Sequence, residues 1–385
     1  MRVALFTNNY VPFCGGVTTS VETLRRGLVG RGHEVWVFAP RFPGAADDPH
    51  VVRYPSIPAA TYPEFALAIP FSRAIAARAR ALAIDVFHAQ HPFLLGPTAR
   101  RLARQHRRPL IFTYHTRYEK YAHYVPLQRN LVEAAAVRLS TRFAARATAV
   151  IAPSAVIRDE LLGRGVRAPI AVVPTGIDLT RFCPGDRQVA RGELGLAAEE
   201  RVLLYVGRLD REKSVERILL AFERIASTVP RTRLLLVGQG TQGEALRRLA
   251  GSLPIADRIR FLGLRPHADL PVCYRAADLF VFASETETQG LVLAEAAASG
   301  LPAVAVAAPG CDEVVQDGAS GLLTKPEPAA LAEAVIGLLV DGERRRVMGV
   351  RAREVAARQF GVDLQIDRTL AVYEEARARV AREGR

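Results

Sequence analysis

The sequence predicts an α/β protein built from two Rossmann-like domains, and three observations carry that prediction. At 385 residues the chain exceeds one ordinary domain. Short, continuous apolar runs rich in β-branched residues alternate with longer amphipathic helical patterns, which is the signature of parallel sheets covered on both faces. That rhythm restarts near residue 200, after the polar linker DLTRFCPGDRQVARGELGL.

The elements follow in order. VALFTN is the first strand, and its exit loop NNYVPFCGGVTTS leads into the helical pattern VTTSVETLRRGLVGRG. EVWVFAP, VVRYP, VFHAQ, LIFTYHT, AVIAPSA and IAVVPTG complete the first set of strands. RVLLYVG, RLLLVGQG, IRFLG, LFVFAS, PAVAV and GLLT form the second, with helices such as SVERILLAFERIAS between them. The Arg- and Glu-rich tail reads as a terminal helix. The expected division is 1–180, 181–362, and a helix over 363–385 that returns to the first domain.

Composition narrows the class. A chain that is 49% hydrophobic and 24% charged can bury substantial cores. No apolar run reaches the roughly 18 residues of a membrane span, and no secretion signal opens the sequence. Cys14, Cys183, Cys273 and Cys311 are scattered, without the paired spacing of a zinc site or disulfide frame. A cytoplasmic protein is expected. The net charge of +13 is uneven: residues 1–178 hold 23 Lys and Arg against 11 Asp and Glu, and the remainder 29 against 28. A basic first half points to a polyanionic partner, either nucleic acid or an anionic membrane, with solvated arginine faces as the plain alternative. Nucleic-acid binding calls for basic residues interleaved with exposed aromatics or for a known module, and the sequence displays neither.

Ligands of parallel sheets sit beyond the carboxyl ends of the strands, so candidate residues are sought there. After LFVFAS comes the loop ETETQ, and Gly290 opens the helix LVLAEAAASG. Glu287 precedes that helix and Glu295 lies in its second turn. Eight helical residues cover ~12 Å, too far for a shared proton but suited to two ends of an extended ligand. Carboxylates suit sugar hydroxyls, and the N–H groups near Gly290 and Leu291 suit phosphate oxygens. Alone, this spacing is met equally by a loop acid and a helix-surface acid. After RVLLYVG, the loop GRLDREKS carries Arg208 and Lys213, with Ser214 expected to cap the next helix, an arrangement suited to a diphosphate. A solvated basic loop is the bland counterpart. In the first domain Gly15 and Gly16 permit close approach of backbone to a phosphate or sugar, although a glycine pair is as often a simple turn. His115 closes a strand, where a lone histidine is commonly structural.

Gly238-Gln239-Gly240-Thr241-Gln242-Gly243 matches G-x-G-x-x-G between a strand and a helix. The next strand ends IRFLGLRP without the acid that would hold a dinucleotide ribose, so an oxidoreductase is disfavoured. The sequence has no H-x-x-x-H pair, Asp-x-Asp loop or G-x-S-x-G elbow, and metal-independent catalysis without a cofactor is expected.

Together the glycine-pair loop CGGV, RGHEVWVFAP, VPTGID, GRLDREK and ETQGLVLAEAAASGLPAVA resemble glycosyltransferase family 4, retaining enzymes of the GT-B fold, over nearly the whole chain. The resemblance implies two domains facing a cleft, a nucleotide-sugar donor, and front-face transfer without a covalent intermediate. It implies Gly16 near the donor phosphates, Arg208 and Lys213 on the diphosphate, Glu295 on the ribose, Glu287 on the transferred sugar and His115 beside it. The family commonly has Phe where this chain has Gln289. YHTRYEKYAHYVP and the NNYVPFCGGVTTSVETLRRGL opening look like the diacylglycerol glucosyltransferases of the family. That likeness implies Tyr118, Tyr121 and Tyr124 at the acceptor, UDP-glucose as donor and a lipid acceptor such as diacylglycerol. The basic first domain would then dock peripherally on the inner face of an anionic plasma membrane, with RRLARQHRRP as one patch and YPEFALAIPFSRAIAARARAL as an apolar contact. Alternatives within the resemblance are mannosyl or other glycosyl transfer to phosphatidylinositol, an oligosaccharide or a small metabolite. A sugar-nucleotide epimerase of the same fold is a further alternative.

Overall fold

The structure is a computed structural model that describes residues 1–13, 15–59, 62–120 and 128–383, the side chains of 62–64 excepted. Two compact units divide the chain: Met1–Gly176 with Val362–Arg385, and Ile177–Gly361.

Unit 1 is built on β1 (Arg2–Phe6), β2 (Glu34–Pro40), β3 (Val51–Tyr54), β6 (Val86–Ala89), β7 (Leu110–Thr113), β8 (Ala149–Ala152) and β9 (Ile170–Val172). They form one parallel sheet in the order β3-β2-β1-β6-β7-β8-β9. Alternation along each strand divides the core. Ala4, Phe6, Phe38, Phe87 and Phe112 point to one face, while Val3, Leu5, Val35, Val37 and Ile111 point to the other. Each buried aromatic contributes roughly 1.5–3 kcal/mol by leaving water. Helices α1 (Gly16–Gly30), α3 (Leu95–Gln105), α4 (Arg129–Ala144) and α5 (Ala155–Gly163) run between these strands.

β4 (Ser56–Ala59) and β5 (Tyr62–Ala68) form an antiparallel pair outside this sheet, and α2 (Arg73–Ala81) follows. This pair is absent from the expected strands because Pro58 and Pro63 interrupt its pattern, as proline does at strands that lie outside a central ladder. Ile57, Ile69 and Phe71 stand exposed around it, Phe71 at 78%.

Unit 2 carries β10 (Arg201–Val206), β11 (Thr232–Val237), β12 (Ile259–Gly263), β13 (Leu279–Phe282), β14 (Ala303–Val306) and β15 (Gly321–Thr324), parallel in the order β12-β11-β10-β13-β14-β15. Helices α6 (Arg187–Glu193), α7 (Val215–Thr228), α8 (Gly243–Ser252), α9 (Leu270–Ala276), α10 (Leu291–Ala298), α11 (Pro328–Val340) and α12 (Gly342–Gln359) accompany them. Each strand expected from the sequence forms.

The terminal helix α13 (Val362–Glu383) belongs to unit 1. Its Ile366, Val372, Tyr373 and Ala376 join the core face that holds Val21, Leu24 and Leu28 of α1. The helices touch so closely that a Cβ on Gly27 would lie 2.5 Å from Ile366 Cδ1. Arg31 bridges to Asp363 and Asp367 at 3.0 and 2.8 Å at the edge of this contact. Beneath it, the Tyr373 hydroxyl and His88 Nδ1 are 2.7 Å apart, and His88 Nε2 is 2.7 Å from the Thr113 hydroxyl.

Candidate active site

A doubly wound sheet offers a binding crevice where its strand order reverses. In unit 2 that point lies between β10 and β13. The β10 loop passes through a tight turn at Arg211–Lys213 into α7, and the β13 loop runs from Ala283 to Gly290. They meet in one ion pair: Lys213 Nζ stands 2.6 Å from Glu287 Oε1, both side chains being largely buried. Burial alone would raise the Glu287 carboxyl. The charge and hydrogen bond of Lys213, helped by Ser284 and Arg208, outweigh it and hold the group below the ordinary carboxylate range. Glu287 is therefore ionised at neutral pH.

Arg208 is equally committed. Its guanidinium reaches Asp210 at 2.6 Å and Glu212 at 2.5 Å. Both cations that the sequence suggests for a diphosphate are thus paired with carboxylates. The reason is electrostatic, since cations partly removed from water require counter-charge. Ser214 departs from expectation. It occupies the N-cap position of α7 in the left-handed region at φ 50° and makes no side-chain cap.

The Gly-x-Gly-x-x-Gly segment has a structural explanation here. A Cβ on Gly238 would fall 1.9 Å from the Gly207 carbonyl oxygen, and one on Gly240 would fall 2.5 Å from that of Leu209. The segment lies directly against the β10 loop. Leu209 N–H donates to Gln239 O, and the Thr241 N–H and hydroxyl donate to Asp210 Oδ1 at 2.7 and 2.8 Å. These glycines support the Arg208–Lys213 loop by close backbone approach.

Gly290 adopts φ 74° at the start of α10, and the first N–H groups of that helix, Leu291 included, lack intrahelical acceptors. Glu295, one turn on, is 2% exposed. Both its oxygens are engaged: the Tyr274 hydroxyl donates to Oε2 at 2.7 Å, and His267 Nε2 lies 2.7 Å from Oε1. The sequence reading singled out neither partner, although His267 follows the end of β12 and strand-end position could have flagged it. Gln289, at the position where the resemblance has Phe, is buried.

In unit 1 the strand order reverses between β1 and β6. Gly15 precedes α1 in extended backbone, and a Cβ on Gly16 would meet nothing within 4 Å among the described residues. His115, just beyond β7, has Nε2 2.6 Å from Gln90 Oε1. Burial pushes the His115 imidazole down to about 4, and those of His88 and His91 to about 3. Tyr118 packs edge-on against Phe93 and Tyr114. Tyr121, Tyr124 and Cys14 lie outside the described residues.

Two family patterns define the class of this protein. Residues 14–181 match "Glycosyltransferase Family 4" and residues 186–355 match "Glycosyl transferases group 1". The molecule is a glycosyltransferase. It is 32% identical to the alpha-monoglucosyldiacylglycerol synthase of Streptococcus pneumoniae over 94% of this chain and 84% of that protein. It is 33% identical to D-inositol 3-phosphate glycosyltransferase 1 of Catenulispora acidiphila over 94% of this chain and 91% of that protein. Among solved structures, sucrose-phosphate synthase of Thermosynechococcus elongatus superposes with a TM-score of 0.83 at 26% identity, covering 98% and 99% of the two chains. The chain belongs to glycosyltransferase family 4, and its fold is GT-B.

Proposed function

We propose that the protein moves a glucosyl residue from UDP-glucose to diacylglycerol, with retention and without a bound metal or cofactor. The observation that carries the donor half is the Lys213–Glu287 pair across the β10–β13 switch point, beside the N-terminus of α10. In this reading Lys213, with Arg208 beside it, faces the donor diphosphate, the α10 N–H groups meet phosphate oxygens, and Glu287 meets sugar hydroxyls. As the anomeric C–O bond breaks, its electron pair moves onto a phosphate oxygen, and fixed positive charge there lowers the barrier. The acceptor hydroxyl bonds to the anomeric carbon on the same face, and its proton leaves with the departing phosphate. Glu287 positions and balances charge without bonding to the sugar. Glu295, fixed by Tyr274 and His267, is the proposed ribose contact, Gly15 and Gly16 approach the donor phosphates, and His115 lies beside the sugar.

The lipid half draws support from the name of the pneumococcal relative and from the surface of unit 1. Arg100, Arg101 and Arg104 of α3 line a cavity of about 550 Å³, and none of them has a carboxylate partner among the described residues. Exposed Ile57, Ile69 and Phe71 add an apolar contribution. Among the described residues no helix is long and apolar enough to cross a membrane. The proposed reading includes peripheral docking on an anionic cytoplasmic leaflet, with Tyr118, Tyr121 and Tyr124 assigned to the acceptor.

The test is incubation with a panel of nucleotide sugars, with EDTA in one arm, and diacylglycerol in neutral or anionic vesicles. Products are identified by mass spectrometry and the anomer by NMR. A glucosylated diacylglycerol, α-linked, formed faster on anionic vesicles and insensitive to EDTA is expected. The relative from Catenulispora favours a second reading, an inositol phosphate acceptor. Transfer to that acceptor alone would replace the lipid assignment, and conversion of the nucleotide sugar with no acceptor would indicate an epimerase.

A further inference from the structure

The β1–β6 switch point of unit 1 is held together by hydrogen bonds between its two loops. Gln90 N–H donates to Phe6 O at 2.8 Å. Asn8 N–H donates to His91 Nδ1 at 3.1 Å, and the Asn8 side-chain amide donates to Phe93 O at 3.1 Å. Against this closed backbone, three buried side-chain atoms have no hydrogen-bond partner among the described residues: Asn9 Oδ1 on the β1 loop, Thr18 Oγ1 in the first turn of α1, and Gln90 Nε2 just beyond β6. Gln90 is 1% exposed and Thr18 5%. A buried amide N–H left unmet is costly, and the three atoms belong to the segments that follow β1 and β6 and open α1, where a ligand can supply the missing partners.

We propose that Gln90 does two things at this mouth: it holds His115 as the Nε2–H tautomer, and it offers its own Nε2–H to a hydroxyl of a neutral polyol. The assignment rests on the reading of His115 as a residue beside the transferred sugar.

The chemistry of the atoms selects the ligand class. Asn9 Oδ1 only accepts, Gln90 Nε2 only donates, and the Thr18 hydroxyl does either. Hydroxyl groups answer both kinds, donating to an acceptor such as Asn9 Oδ1 and accepting from a donor such as Gln90 Nε2. A phosphate group presents acceptor oxygens at neutral pH and offers nothing to an acceptor such as Asn9 Oδ1. The facing imidazoles agree. His88 of β6 and His91 of the loop after it stay uncharged near pH 7, as does His115, so none of them supplies a cation for phosphate. Behind His88 lies the Tyr373 hydroxyl of α13, also neutral. Because Gln90 Oε1 takes the Nε2 proton of a neutral His115, Nδ1 carries the lone pair of that ring. The hydroxyls concerned belong either to the transferred hexose or to the glycerol of the acceptor, and kinetics separate these two sources.

The full-length protein, labelled at histidine nitrogen, is titrated by NMR as the native chain and as Gln90→Glu. Native His115 is expected as the Nε2–H tautomer, neutral to about pH 4. In Gln90→Glu the new carboxylate stabilises the imidazolium and moves the His115 transition up by at least about one pH unit. An unchanged His115 titration overturns the proposal. That measurement needs no turnover, so it judges Gln90 even if no glycosyl acceptor is found and the proposed function fails. Glycerol and glucose are expected to perturb the His115 resonances more than glycerol 3-phosphate, and the reverse order overturns the choice of a neutral ligand. In kinetic assays Gln90→Leu is expected to lose about tenfold or more in kcat/KM, the equivalent of one hydrogen bond, with UDP affinity unchanged. A loss in the acceptor KM assigns the hydroxyl to the acceptor, and a loss in kcat with that KM unchanged assigns it to the hexose. Kinetic constants within twofold of native overturn the contact.

Discussion

At the switch point of unit 2, Lys213 and Glu287 meet as a largely buried ion pair with Arg208, Asp210 and Glu212 beside them. At the corresponding place in unit 1 the groups are His115, Gln90, Asn9 and Thr18, and none of them is charged at neutral pH. The two sheets share a topology, so strand order alone does not decide what each crevice binds. The side chains in the loops do. Fixed opposite charges suit a polyanionic leaving group, whose charge changes as a bond breaks, whereas uncharged donors and acceptors suit hydroxyls. Bulk charge runs the other way. Unit 1 holds 28 Lys and Arg against 15 Asp and Glu, and unit 2 holds 24 of each. Part of the excess of unit 1 lies on surfaces such as the Arg100–Arg104 face of α3. A net charge and a site charge answer different questions.

The sharpest way to break this contrast is at Lys213. Lys213→Ala is expected to lower transfer by ~10²–10³-fold, the scale of removing one preorganised charge at a departing oxyanion. It should also destabilise unit 2, because Glu287 is left buried without a partner. Lys213→Ala with Glu287→Gln should recover stability in denaturant titrations but not activity. Recovery of both would mean that the pair is structural only.

The second test uses pH. His88 and His91 are buried, with pKa values near 3, well below the ordinary 6.5. Below about pH 6.5 the unfolded chain takes up protons that the native state refuses, so stability declines as pH falls toward 3. The slope approaches ~1.4 kcal/mol per pH unit for each histidine. In calorimetry the unit 1 transition should move down between pH 6.5 and 5 relative to that of unit 2. His88→Gln should flatten the dependence, and an unaltered slope would show that burial of His88 is not its source.

The smallest expected effect comes from Gly27→Ala, which forces a methyl against Ile366 of α13. A loss of about 1–3 kcal/mol in unit 1 alone is expected from denaturant titrations. Loss spread over both transitions would contradict the assignment of α13 to unit 1.

The parallel strands were legible because a strand buried on both faces must be a short continuous apolar run, and RVLLYV or LFVF has little other use. The β4–β5 pair was not, since Pro58 and Pro63 erase the alternation that marks a half-buried strand. Strand-end position singled out Glu287, Lys213 and His115, and each stands in a loop beyond a strand of its sheet. It could not show that Lys213 and Glu287, 74 positions apart, share a hydrogen bond. Gln90 was hidden for another reason. VFHAQ reads as strand to its last letter, yet the strand ends at Ala89 and Gln90 belongs to the mouth. Tyr274 was invisible because a tyrosine on an apolar helix face reads as core. It is core, with its hydroxyl turned onto Glu295.

The return of α13 to unit 1 has a consequence for synthesis. The ribosome completes all of Ile177–Gly361 before Val362 emerges. Until then the α1 face at Val21, Leu24 and Leu28 lacks the Ile366 and Tyr373 that cover it, and His88 lacks its Tyr373 partner. Unit 2 is contiguous and has no such wait. The half of the molecule made first is the half finished last, and a nascent chain arrested before Val362 should expose an apolar groove along α1 to chaperones.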